Sequence, residues 1–339
     1  MIEFKKTEIP IKIKLPSKLK KIVKDNYVSE IRFHPLLKWF WSVVSTNRSS
    51  YNPFKVPENQ LNDLFTPRVH YFKNYEEETP EFPEFGRLQK NQAVIFPNLY
   101  SWADIAICRI TEAESVYLKD INVQQLTDAL ELSELYFKKK ADMKDEIFYP
   151  TVNMNFLRPS ASSVLHPHLQ LICTPVANPL LYHLILEGTN YLKENKTNFF
   201  LDLVKEEEKI GKRWIGKQGS FNFMTNFCPI AGQDEIFFIS DIDSSFPINK
   251  LERIVDLATG ISKIFKAYDQ MQIYSINMTI LSLKFNEKSD FFRICGLIWS
   301  RPIRNLDVSD RGFAELAHKI ALSYVAPEVV AKKIREMWK

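Results

Sequence analysis

At 339 residues, 45% hydrophobic and 25% charged, the chain is long enough for two domains or for one built from two similar halves. Its 45 basic and 41 acidic residues leave a net charge of only +4, too little for a protein built to neutralise a nucleic-acid backbone. No apolar run reaches the length of a membrane span, and the first residues lack a signal-peptide core. Cys108, Cys173, Cys228 and Cys295 form no CxxC pair. A reduced, cytoplasmic protein without membrane or nucleic-acid partners is expected. None of the nine glycines forms a GxGxxG or P-loop pattern, so side chains must hold any phosphate.

Residues 1–29 read as a basic arm, solvated or capping a sheet. Trp39 to Val44 is strand-like, and 51–92, rich in Pro, Asn and Glu, reads as a long excursion. Val94 to Asn98 predicts a strand and turn, followed by a second strand from Asp104 to Ile110. Asn122 with Gln125 predicts a capped helix reaching about Lys140. The pattern then recurs. Phe221 to Asn226 is a strand and turn, Glu235 to Ser240 a second strand, and Asn249 with Glu252 a helix start. Asn98 precedes its cap by 24 residues and Asn226 by 23, which predicts an internal duplication with a period of roughly 130 residues. Pro327 opens a final helix to Met337.

The stretch Ser162 to Leu171 stands apart. Read as a strand, it puts His166, His168 and Gln170 on one face and Leu165, Leu169 and Leu171 on the other. Four uses of that polar row are open: a neutral imidazole attacking phosphorus, two metal ligands, a general base for hydrolysis, or core histidines satisfied by hydrogen bonds. Arg158, Ser160, Ser162 and Ser163 upstream supply groups suited to an anion. The matching strand of the second half, Phe291 to Trp299, has no histidine and puts Cys295 where His168 would fall.

His166-Pro167-His168-Leu169-Gln170, with Ser163 three and Asn155 eleven residues ahead of His166, resembles the active-site strand of galactose-1-phosphate uridylyltransferases, in the histidine-triad superfamily. Arg32 to Leu36, Trp39 to Ser45, Arg48, Val94 to Asn98 and Phe223 to Ile239 extend the similarity. The resemblance implies His168 as nucleophile, His166 as its hydrogen-bonding partner and Gln170 on the transferred phosphoryl group. It implies Ser163, Asn155, Asn98 and Arg48 as ligands of the nucleotide or its phosphates. It also implies a homodimer. Family members bind zinc through a CxxC pair and the first motif histidine, but this chain has no cysteine before Cys108. Neither a metal nor a cofactor is therefore expected. The family's hexose-contacting segment is poorly matched by Asp310 to His318.

The expectation is an α+β protein of tandem duplicated histidine-triad-like halves, each an antiparallel sheet with packed helices. The first half spans 30–185 and holds the site, and the second, degenerate half spans 186–339. The expected activity moves a nucleoside monophosphate between a nucleotide-sugar and a sugar phosphate or phosphate. Phosphorolysis or hydrolysis of a dinucleoside polyphosphate, and nucleotide binding without catalysis, are the alternatives.

Overall fold

The computed structural model describes residues 2–18, 26–46, 58–144, 148–301 and 311–338. Arg48 and Asp310 lie outside the described residues. The basic N-terminal segment forms β1 (Lys6–Lys12), followed by β2 (Asn26–Phe33) and β3 (Trp41–Val44). Short helices α1 (Glu58–Leu64) and α2 (Tyr75–Glu78) precede a meander of β4 (Leu88–Lys90), β5 (Ala93–Pro97) and β6 (Asp104–Arg109). Helix α3 (Val123–Lys144) leads to β7 (Tyr149–Phe156), a loop over 157–167 and β8 (His168–Thr174). Helices α4 (Pro179–Asn195) and α5 (Phe199–Ile210) then cross to β9 (Trp214–Gln218), β10 (Phe221–Thr225) and β11 (Gln233–Ser240). Helix α6 (Leu251–Gln270), β12 (Ile276–Leu281) and β13 (Cys295–Ser300) follow. The chain closes with α7 (Phe313–Leu316), β14 (Leu322–Ser323) and α8 (Pro327–Met337).

Helix starts follow local chemistry. Asn122 and Gln125 exchange backbone-to-side-chain bonds at 3.0 Å each, the reciprocal capping that their spacing predicts. Asn178 caps α4 ahead of Pro179, and Asn198 caps α5. The α6 start differs from expectation. Asn249 sits at φ 58° and bonds Pro247, so the flanking residue is Lys250, which offers no side-chain cap. Glu134 of α3 accepts from Ile248 N (2.6 Å), which anchors the segment leading into the helix.

Two sheets result. The smaller has the order β1-β2-β3-β14, so the basic arm is a strand edge, and β2 runs across the 29/30 boundary. The larger has the order β4-β5-β6-β8-β7-β12-β13-β11-β10-β9 among the described residues. The first five strands and the last five have the same chain-order pattern, and β7 meets β12 antiparallel at the middle. One face of this sheet buries Val152, Met154, Phe156, Ile276, Met278 and Ile280 against α3, α6 and α8. On the other face, the second half is filled. Leu281, Cys295, Leu297 and Phe237 pack there with Leu184 of α4 and with Phe200 and Leu203 of α5. Helices α4 and α5 do not extend over the first half. Among the described residues, Phe72, Tyr75 of α2 and Val164 pack onto Val94, Phe96 and Ile107, to one side of the polar centre of that face.

Candidate active site

Strand β8 alternates as its sequence predicts, with His168, Gln170, Ile172 and Thr174 facing one way and Leu169, Leu171 and Cys173 entering the core. It begins at His168, two residues after the start that an unbroken row requires. His166 therefore stands ahead of the strand. It is 3% exposed and donates from Nε2 to the Thr111 carbonyl at 2.6 Å, which fixes the proton on that nitrogen. Its Nδ1 is buried without a partner among the described residues. His168 donates from Nδ1 to the His166 carbonyl at 2.7 Å, the orienting bond that a strand backbone can supply. The proton is thereby on Nδ1, and Nε2, which has no partner among the described residues, keeps its lone pair.

Burial holds both rings neutral. It lowers the His168 pKa below the usual imidazole value against the raising effect of the His166 carbonyl. His166 falls to about 4, chiefly through burial and further through the Arg109 charge. Arg109 is a residue that the sequence did not single out. It is opposite His168 in the β6–β8 register and 4% exposed, and no carboxylate lies within ion-pair distance of it among the described residues. Its guanidinium donates to the carbonyls of Phe72 and Gln92 and stacks 4.6 Å over Tyr75. Phe72 in turn meets the His168 ring edge-on at 5.1 Å, so Arg109 secures the segment that walls that ring. A signal existed in the sequence: an arginine set between the apolar run Ile105 to Cys108 and Ile110.

The remaining expected residues divide. Asn155 is in the row of His168, because the β7–β8 register carried two residues past its Asn153–Gln170 pair reaches both. Gln170 is half-buried on the same face, and its side-chain amide has no partner among the described residues. Asn153, not anticipated, donates to the Gln170 carbonyl (3.2 Å) and accepts from Thr279 (2.7 Å), which locks its amide beside Gln170. Ser163 lies exposed in the loop before β8. That loop turns through positive φ at Leu157 (67°) and Ala161 (69°), conformations that cost L-residues energy and recur at functional sites. Arg158, expected to face an anion, is instead engaged by the side chain and carbonyl of Asp63 of α1. Ser160 and Ser162 spend their hydroxyls on carbonyls of the same loop. Asn98 follows β5 and donates its backbone N–H to the carbonyl of Ile105, which pairs with Ile172. It is therefore not beside His168: it lies roughly 13 Å along the strands and about 10 Å across them.

No protein-family model matches the chain. An uncharacterized protein of Archaeoglobus fulgidus is 27% identical over 269 residues, spanning 76% of this chain and 77% of its own. Among solved structures, an ADP-glucose phosphorylase from Arabidopsis thaliana with bound ADP-glucose superposes at a TM-score of 0.71 and 18% identity, covering 91% of this chain and 99% of that one. A GalT-like protein from the same plant gives 0.71 at 19% identity over 90% and 98%. A uridylyltransferase gives 0.66 at 18% identity over 91% and 98%. The chain has the α+β fold of the uridylyltransferases and GalT-like proteins, as the sequence resemblance implied. Among the described residues no helix is long and apolar enough to cross a membrane.

Proposed function

We propose that the chain is a nucleotidyltransferase working by double displacement through His168. The observation that carries this is the His168 imidazole, held by a main-chain oxygen at Nδ1 and open at Nε2, on a polar part of the sheet face that α4 and α5 do not cover. Nε2 attacks the α-phosphorus of a nucleotide-sugar. A P–N bond forms, the P–O bond to the departing sugar phosphate breaks, and the electron pair leaves on that phosphate oxygen. Phosphate or a sugar phosphate then attacks the phosphoramidate and regenerates the imidazole. Donors already fixed beside the reacting phosphoryl group stabilise its charge without reorganising, a role for Gln170 and Asn155. Ser163 and Arg48 would take the outer phosphate. Asn98, at the far end of the face, would meet the base or ribose.

A tandem duplication accounts for the sheet. His166 and Arg293 each stand two residues before their strand and donate to the carbonyl past β6 or β11, at Thr111 (2.6 Å) and Asp241 (3.3 Å). Pro167 and Ile294 likewise accept from Ile110 and Ser240. With Lys250 as the α6 flank, the interval from Asn226 is 24 residues (250 − 226), equal to that from Asn98 to Asn122 (122 − 98). In this reading the second half lost its histidine and had the corresponding face covered by α4 and α5.

The test is a panel of UDP-glucose, ADP-glucose and dinucleoside polyphosphates, radiolabelled in the α-phosphate, each with phosphate or a sugar phosphate as acceptor. Acid-labile label retained on the protein and lost in His168→Ala is expected. Turnover with no trapped adduct would overturn the covalent step. Light scattering checks the homodimer that the resemblance implies.

A further inference from the structure

Asn155 is not free to choose which end of its amide it presents. Arg301 donates from Nη1 to Asn277 at 2.9 Å. A guanidinium has no acceptor, so the atom it meets is the amide oxygen of Asn277. The other end of Asn277 is its NH2, which donates to Asn155 at 2.6 Å and to the Ser160 carbonyl at 2.9 Å. That carbonyl can only accept, so it requires the same orientation from the opposite side. The Asn155 atom facing Asn277 is therefore its oxygen. The Asn155 NH2 is turned away, and it has no partner among the described residues.

The arrangement is stiff. Asn277 is 6% exposed and Ser160 1%, so reversing Asn277 would set buried donor against donor and acceptor against acceptor. The two asparagines are register partners across the β7–β12 joint, which keeps their amides opposite one another. The bond to Ser160 also ties Asn277 to the loop that carries Ser163 and His166. Both Asn277 and Arg301 come from the second half of the chain.

We propose that Arg301 and Asn277 are positioning residues that commit Asn155 to act as a hydrogen-bond donor only, so that the site selects an acceptor-only oxygen such as a phosphoryl oxygen. The inference rests on the nucleotidyl-transfer reading above, in which Asn155 faces the nucleotide's phosphates. It gives the second half a specificity role that its lost histidine does not supply. Neither residue touches the ligand.

The test compares a nucleoside monophosphate with its nucleoside, AMP with adenosine and UMP with uridine, by ligand-observed NMR titration of the full chain. Asn277→Asp keeps the oxygen that Arg301 needs and removes both donated bonds. Asn277→Ala removes them without adding charge. Both variants are expected to bind the monophosphate at least tenfold more weakly than wild type, with nucleoside affinity within twofold and cooperative thermal unfolding retained. A parallel loss for nucleoside and monophosphate would mark a merely structural role and overturn the proposal. So would unchanged monophosphate affinity in Asn277→Ala, since any loss in Asn277→Asp would then be charge alone. Failure of wild type to bind any of the four probes would instead overturn the parent reading, and is recognised before any variant is measured.

Discussion

An imidazole attacks from one nitrogen only, and at His168 the choice is made by the carbonyl of His166 two residues back. Pro167 between them fixes φ and stiffens that link. His168→Ala is expected to lower turnover by several orders of magnitude with circular dichroism unchanged, and turnover within about tenfold of wild type would remove the residue from the chemistry. The titration behaviour follows from burial. Since the folded His168 pKa is depressed, its neutral form persists below the ordinary imidazole range. Single-turnover adduct formation should therefore hold its rate as pH falls through 6.5, rather than halve there. His166 gives the matching stability effect. Between its folded pKa of about 4 and the unfolded value of 6.5, the unfolded state binds more protons, so stability rises with pH. It is lost as pH falls across that window, and His166→Asn should flatten this part of the profile of Tm against pH.

At the scale of elements, β2, α5, α8 and the residue just before β9 meet through buried charges. Arg32 bonds Glu328 through both terminal nitrogens, at 2.9 and 3.1 Å, while Arg213 bonds Glu328 (3.1 Å) and Glu207 (2.8 Å). Both guanidinium groups lie over the Phe227 ring. The Arg32-Phe33-His34 signature thus builds scaffold in this chain, with His34 Nδ1 accepting from Leu36 and Leu37 N. Removing one partner of a buried pair costs far more than the pair's net worth, because the survivor keeps its desolvation penalty. Glu328→Ala removes a partner from two arginines at once, leaving Arg32 with Glu30 and Arg213 with Glu207. A loss of about 2 kcal/mol is expected, below the range for a charge left without any partner, because each arginine keeps one carboxylate and Glu328 is a quarter exposed. Urea unfolding of the variant measures it, and a loss below about 1 kcal/mol would show the cluster to be solvated.

Over the whole molecule, the sheet is continuous through the β7–β12 joint, and α3 of the first half shares its core with α6 of the second. A fragment of residues 1–185 would expose β7 as an unpaired edge and uncover Phe137, which packs on Phe246. Such a fragment is expected to be aggregated or unfolded, whereas co-expression with 186–339 should recover a soluble complex. A soluble, cooperatively unfolding 1–185 would show the halves to be independent domains.

How much of this was legible in the chain depends on the range of the interactions involved. Period-two alternation marked β8, whose one face is polar, whereas β5, β6 and β10 showed as short runs of strand-forming residues because both their faces are buried. The Asn122–Gln125 box and Pro327 marked helix starts through contacts within one turn, and both lie where expected. The His168 row and its orienting carbonyl were equally local. Asn249 misled because its backbone turns through φ 58° in a segment anchored by Glu134, 114 residues earlier in the chain, which moves the helix flank to Lys250. Helices α4 and α5 were not read at all, although their job, covering the face around Cys295, explains why only one half is open. Arg109, Asn153 and Asn277 became site residues through register, and register is set by which strands pair. Pairing of β7 with β12 joins residues more than a hundred apart, and no local pattern encodes it. The sequence by itself determined which strand could carry a nucleophilic imidazole. Only the tertiary structure decided which amides surround it and which way they point, since that is fixed by hydrogen bonds between strands distant in the chain.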